Sequence, residues 1–184
     1  MARRQAGQYS QWGDVMMASI LAKIYNWLEQ AAIKQKEKDY RRRFNIHKTA
    51  RLGYLPHIIF KGNIEIGPHS YFNSGKISTG NNSLVKIGKW CAIGYNVNIH
   101  AISHDPEHAT GPENQRPAIE GSIIIEDHVW IGSNVFIRPG IKIGKNSVIG
   151  VNSVVTRDIP ENAIVGGIPA KLIRFKEEKN EEKN

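Results

Sequence analysis

The stretch Ile123 to Val155 (IIIEDHVWIGSNVFIRPGIKIGKNSVIGVNSVV) returns an aliphatic residue at every sixth place: Ile125, Ile131, Ile137, Ile143, Ile149 and Val155. No ordinary helix holds that period, because one helical face recurs every 3.6 residues. Strand alternation accommodates it. Small or compact residues recur four places after the aliphatic ones, at Ser70, Cys91, Val97, Ser103, Val129, Val135, Ser147 and Ser153. In the regular hexads this residue stands two places before the next aliphatic one, so both point inward from one short strand. Glycine follows the aliphatic residue at 132, 144 and 150, which reads as a turn that uses its unrestricted backbone. Three such units close a triangular coil, and stacked coils bury a continuous aliphatic column. The fold class is therefore mainly β, a parallel β-helix of hexapeptide repeats. The period leaves the hand of the coil open.

The same period begins at Phe60, Ile66 and Phe72 and resumes, after three extra residues, at Ile87, Ile93 and Ile99. It then breaks for HAISHDPEHATGPENQRPAIEGS, with Ile119 or Ile125 leading back into register. A Pro/Gly/Asn-rich insertion of this kind is an extruded surface loop, and such loops often carry function. Upstream the pattern is helical. Val15, Ile20, Leu21, Ile24, Leu28, Ala31 and Ala32 form a stripe between about Asp14, a candidate cap, and Tyr40. That stripe covers a neighbouring core or, with Trp27 and the basic end, lies on a membrane surface. Three parts follow: a helical segment over 1–57, the β-helix over 58–175 and a charged tail over 176–184.

Composition narrows the function. A single cysteine excludes an internal disulfide framework and a Cys-rich zinc site. The polar start (MARRQAGQYSQWGD) is no signal peptide, and the run Val15 to Leu28, broken by Lys23, is too short and polar to span a membrane. A cytoplasmic location is expected. The net charge of +8 raises nucleic acid and anionic membrane as partners. Its cations gather at Arg3, Arg4 and Lys34 to Arg43, which reads as a solvated helical face. No nucleic-acid motif accompanies them, so no nucleic-acid partner is expected.

The segment VWIGSNVFIRPGIKIGKNSVIGVNSVVTRDIPENAIVGGIPAKLIR closely resembles the hexapeptide-repeat acyltransferases, in particular the galactoside and maltose O-acetyltransferases and the O-acetyltransferases of bacterial polysaccharides. The resemblance covers about residues 58–175, with hexad spacing and the closing GGIPAK matching together. It implies a left-handed coil, although connections between parallel strands are normally right-handed. It also implies a homotrimer, acetyl-CoA as co-substrate and a saccharide acceptor.

Acetyl transfer from a thioester to a hydroxyl needs a base, and histidine, with an ordinary pKa of about 6.5, suits the role. Alternation places Ser103 inward and turns His104 outward at the mouth of the loop. The family's catalytic histidine lies in a T-x-H-P segment of this loop, and His104 of SHDP matches its place. His108, further along the loop, is a candidate acceptor contact, as are Asn73 and Asn82, which lie near the acceptor-binding polar residues of the sugar acetyltransferases. Trp130 falls at an outward place in its hexad. The resemblance assigns CoA contacts to Trp130, to Ser133 and Gly150 as groove walls, to Thr156 and Arg157, and to Lys171 and Arg174. Lysine at 171 replaces the family's arginine, keeping the charge and losing the bidentate fork. Cys91 occupies an inward place and reads as structural, which leaves direct transfer rather than an acyl-enzyme. Two other readings compete: N-acetylation of a nucleotide-linked amino sugar, and a zinc carbonic anhydrase using His100, His104 and His128. The GGIPAKLIR ending favours the acyltransferase, and no metal is expected.

Overall fold

The computed structural model describes residues 2–54, 57–59, 62–108, 112 and 117–177. The chain divides into two units, Met1–Asp39 and Tyr40–Asn184. One helix, α1 (Ala2–Arg43), occupies the N-terminal part. Its early residues (Ala, Arg, Gln) are good helix formers, so it starts before Asp14, which lies inside the helix rather than at its start. On the apolar stripe, Ile20, Leu21, Ile24 and Leu28 are 44%, 58%, 49% and 54% exposed. Among the described residues no helix is long and apolar enough to cross a membrane.

The second unit is the expected coil. Its first turn contains β1 (Asn45–Ile46), β2 (Arg51–Leu52) and β3 (His57–Ile59). The second contains β4 (Asn63–Ile66), β5 (Tyr71–Phe72) and β6 (Gly75–Ser78), and the third β7 (Leu84–Ile87), β8 (Ala92–Ile93) and β9 (Val97–His100). An antiparallel pair, β10 (Ile102–His104) and β11 (Ala118–Glu120), leaves the coil there. The coil continues through β12 (Ile123–Ile125), β13 (Trp130–Ile131) and β14 (Phe136–Ile137), then β15 (Lys142–Ile143), β16 (Val148–Ile149) and β17 (Val154–Val155). It closes with β18 (Ala163–Gly166) and β19 (Lys171–Phe175), the latter folding back antiparallel. Strands stack into three sheets: A (β1-β4-β7-β12-β15), B (β2-β5-β8-β13-β16-β18-β19) and C (β3-β6-β9-β14-β17). Within them every pairing is parallel except β18 with β19.

Inward rows follow the repeat. Ile87, Ile125 and Ile143 stack in sheet A, Phe72, Ile93, Ile131 and Ile149 in sheet B, and Ile77, Ile99, Ile137 and Val155 in sheet C, all essentially buried. The compact residues predicted inward are buried too, with one exception. Ser103 is exposed, because Ala101 takes the inward place and the chain then departs into β10. Ile119, expected to lead back into register, is 41% exposed on β11, and the coil resumes at Ile123. The coil also starts earlier than residue 58. Ile46, Leu52, Ile58 and Ile64 are buried six residues apart, and Ala50 holds the compact place. Phe60, the expected first repeat residue, lies outside the described residues. Arg41, at the end of α1, donates to the carbonyls of His47 and Ala50, fixing the first corner.

The corners correct the role of glycine. The left-handed backbone is supplied by His69, Trp90, His128, Asn146 and Asn162 at the A–B corner, and by Asn96, Asn134 and Asn152 at the B–C corner, with φ of 53–61°. Asparagine tolerates that conformation and bonds locally. Its amides form ladders between coils: Asn96 to Asn134 (3.0 Å), Asn134 to Asn152 (3.0 Å) and Asn146 to Asn162 (2.7 Å). Gly132 and Gly144 are instead required by close approach. A Cβ there would come within 2.8 Å of Val151 N and 2.5 Å of Glu161 N in the next coil.

Candidate active site

The β10–β11 hairpin emerges at the C–A corner, where sheet C hands over to sheet A. It pairs Ile102 with Glu120, Ser103 with Ile119 and His104 with Ala118. His104 is exposed, outward as expected, but because the hairpin has left the coil rather than because Ser103 packs inward. The chain turns immediately after it. The Asp105 amide donates to the Pro117 carbonyl at 3.0 Å, while the Asp105 carboxylate accepts from the Glu107 amide and from His108 Nδ1, both at 2.9 Å. The bond from His108 and then that from Glu107 hold the Asp105 carboxyl below its ordinary value. His108 thus leans back on the turn, its side chain 72% exposed.

His100 sits differently. It ends β9 on the outer face of sheet C, with its ring 4.9 Å from that of Phe136. Burial, and secondarily the charge of Lys76, lowers its pKa. His128 stands at the A–B corner, so the three histidines of the zinc reading lie on a hairpin, a sheet face and a corner. Among the described residues no three His, Cys, Asp or Glu side chains gather as a metal site.

The expected CoA contacts fall into two groups. Trp130, 56% exposed, lies in an outward row of sheet B with Ala92, Val148, Ile164 and Arg174 as successive cross-strand neighbours. Ser133 is beside it at the B–C corner, its hydroxyl accepting from the Tyr95 amide at 3.1 Å. Gly150 follows β16, and its amide donates to the Val165 carbonyl at 2.8 Å. Lys171 faces Gly166 across β18–β19, and both it and Arg174 are exposed. Exposed apolar residues surround this group: Val151, Ile168, Leu172, Ile173 and Phe175, each at least 51% exposed. Thr156 and Arg157 are elsewhere, just beyond β17 at the C–A corner that launches the hairpin. Asn73 and Asn82 are also on different corners. Asn73 follows β5 at the B–C corner, whereas the Asn82 amide donates to Glu120 at the C–A corner. Sequence reasoning missed Glu120, whose bonding partners lie 38 and 39 residues upstream.

The sequence model of the bacterial transferase hexapeptide family (six repeats) matches residues 122–157. The galactoside O-acetyltransferase of Escherichia coli strain K12 is 37% identical over 115 residues, which are 62% of this chain and 55% of that protein. The chain thus spans little more than half the length of that curated relative. Among solved structures, a hexapeptide-repeat acetyltransferase of Vibrio cholerae O1 biovar eltor, complexed with acetyl coenzyme A, is 32% identical. It superposes with a TM-score of 0.67 over 77% of this chain and 76% of that one. A galactoside acetyltransferase in complex with coenzyme A is 31% identical, with a TM-score of 0.65 over 78% of this chain and 70% of that one. The stacked six-residue repeats and this shared sequence place the chain in the hexapeptide-repeat acetyltransferase family, and its coil is that family's left-handed parallel β-helix.

Proposed function

We propose that the chain transfers acetyl from acetyl-CoA to a saccharide hydroxyl, in the synthesis of a surface polysaccharide or a lipid-linked glycan. The observation that carries this reading is the hairpin that holds His104 outside the stacked coil. The solved relatives bound to acetyl-CoA or CoA support the donor, and the galactoside enzyme supports the acceptor class. His104 takes the hydroxyl proton as the oxygen attacks the thioester carbonyl. The carbon–sulfur bond breaks, and the imidazolium returns the proton to the departing thiolate. Transfer is direct. Cys91 is 1% exposed, its thiol donates to the Glu126 carbonyl at 3.0 Å, and burial pushes its pKa up, so it is no acyl carrier.

The working form is a homotrimer with sites between subunits. In one chain His104 leaves from the C–A corner, while Trp130, Lys171 and Arg174 stand on sheet B. A neighbouring copy brings the two together and covers the apolar surface around Ile168 and Leu172. Lys171 and Arg174 meet the phosphates of CoA, Trp130 and the Ser133–Gly150 wall its pantetheine arm, and Thr156 and Arg157 complete its path from the hairpin side. His108, Asn82 and Asn73 contact the acceptor. The enzyme works in the cytoplasm. Exposed Trp27 and Leu28 on α1, with Lys34 and Lys38 beyond them, hold it at the inner face of the membrane. Thiol release from acetyl-CoA, measured with a panel of sugars, oligosaccharides and amino sugars, tests the reading. Release dependent on a hydroxyl acceptor supports it. Release with amino sugars alone replaces O-transfer by N-transfer, and none with any acceptor defeats both.

A further inference from the structure

A carboxylate ties the hairpin that carries His104 to the 80–82 turn of the coil. Glu120 is the last residue of β11, directly across from Ile102 at the hairpin's base. Its Oε2 accepts from the Asn82 amide at 2.9 Å and its Oε1 from the Asn81 amide at 3.3 Å. Those amides belong to the turn between β6 and β7, one coil below. Gly80 leaves the space: a Cβ there would lie 2.0 Å from the Glu120 carboxyl carbon, and Gly80 itself is buried. Two further bonds hold the return strand. Ser122 Oγ accepts from the Leu84 amide at 3.0 Å, and the Gly121 amide donates to the Ala101 carbonyl at 2.9 Å. His104 lies two residues further along β10 than Ile102, and the Glu120 clamp lies at the hairpin's base.

We infer that Glu120 is a positioning residue that fixes where His104 stands by clamping the hairpin to the 80–82 turn; its catalytic consequence rests on the acetyl-transfer reading above. An ionised carboxylate accepting two backbone amides makes bonds stronger than neutral ones. Misplacement of a base by about 1 Å costs about a hundredfold in rate. Trp130, Lys171 and Arg174 stand on sheet B, away from the clamp, and Thr156 and Arg157 lie on a later coil than the 80–82 turn, so loss of the clamp leaves these acetyl-CoA contacts in place.

The test uses the full chain and the variants Glu120→Ala, Glu120→Gln and Gly80→Ala. Amide hydrogen exchange is followed at Asn81, Asn82 and residues 102–104, beside kcat and the acetyl-CoA KM. Glu120→Ala speeds exchange at these amides and lowers kcat by about tenfold to a hundredfold, with the KM within about twofold. Glu120→Gln, which keeps an oxygen acceptor, recovers part of both, and Gly80→Ala mimics Glu120→Ala by pushing the carboxylate out. Unchanged exchange in Glu120→Ala overturns the clamp. Faster exchange with unchanged kcat overturns its role in positioning His104. If Glu120→Ala fails to fold, Glu120→Gln and Gly80→Ala decide the matter by the same readings. A wild-type chain without transferase activity defeats the functional reading, while the exchange data still decide the clamp.

Discussion

His104 and His100 stand four residues apart and differ in what surrounds them. His104 is exposed on a hairpin, so replacing it with alanine removes no core contact. We expect His104→Ala to lower kcat by about a hundredfold to ten-thousandfold, with the melting temperature and calorimetric CoA affinity nearly unchanged. Normal turnover in that variant would reassign the base. His100 is half-buried against Phe136, and burial depresses its pKa. The sign follows from linkage: the unfolded chain binds the His100 proton more readily than the folded one. This contribution is therefore present above the unfolded value of about 6.5 and lost as pH falls below it. Thermal melts between about pH 7.5 and pH 5 should show a smaller acid loss in His100→Phe than in the wild type. An equal loss in both would remove His100 from the account. The outward place of His104 was legible because a histidine beside a broken repeat is conspicuous. An inward Ser103 does not account for it, because Ala101 fills the inward place and Ser103 is exposed.

Among the elements, the inward rows of the long run from Ile125 to Val155 were legible, since each hexad repeats the same inward pair. The first coil was as regular, at Ile46, Leu52, Ile58 and Ile64, but only one of these aliphatic residues, Leu52, is followed by a glycine, Gly53. The division of labour at the corners was not legible. It depends on the distance between coils, which a single strand does not encode. We therefore expect Gly144→Ala, where a Cβ meets Glu161 N at 2.5 Å, to destabilise more than Gly150→Ala, where the nearest atom is Val165 O at 3.3 Å. Asn134→Ala should cost roughly 1–3 kcal/mol, from a left-handed backbone (φ 59°) and two lost amide bonds. Urea unfolding measures all three. A Gly150→Ala variant weaker than Gly144→Ala would contradict the close-approach explanation of these glycines.

At the scale of the molecule, the expected cofactor residues divide between sheet B and the C–A corner, a division that sequence spacing does not carry because both lie on the same repeat. On the proposed reading, one chain does not complete the site and a second copy does. Light scattering at micromolar concentration should give three times the chain mass. The most direct test mixes two impaired proteins, His104→Ala and the double variant Lys171→Ala/Arg174→Ala, under conditions where subunits exchange. If each site takes His104 from one copy and the sheet B cations from its neighbour, random equal mixing leaves about a quarter of the sites with both intact. At low acetyl-CoA the mixture should then reach about a quarter of the wild-type rate, well above either variant alone. A mixture whose subunits have exchanged, as native mass spectrometry shows, yet whose rate equals the sum of its parts would contradict a shared site.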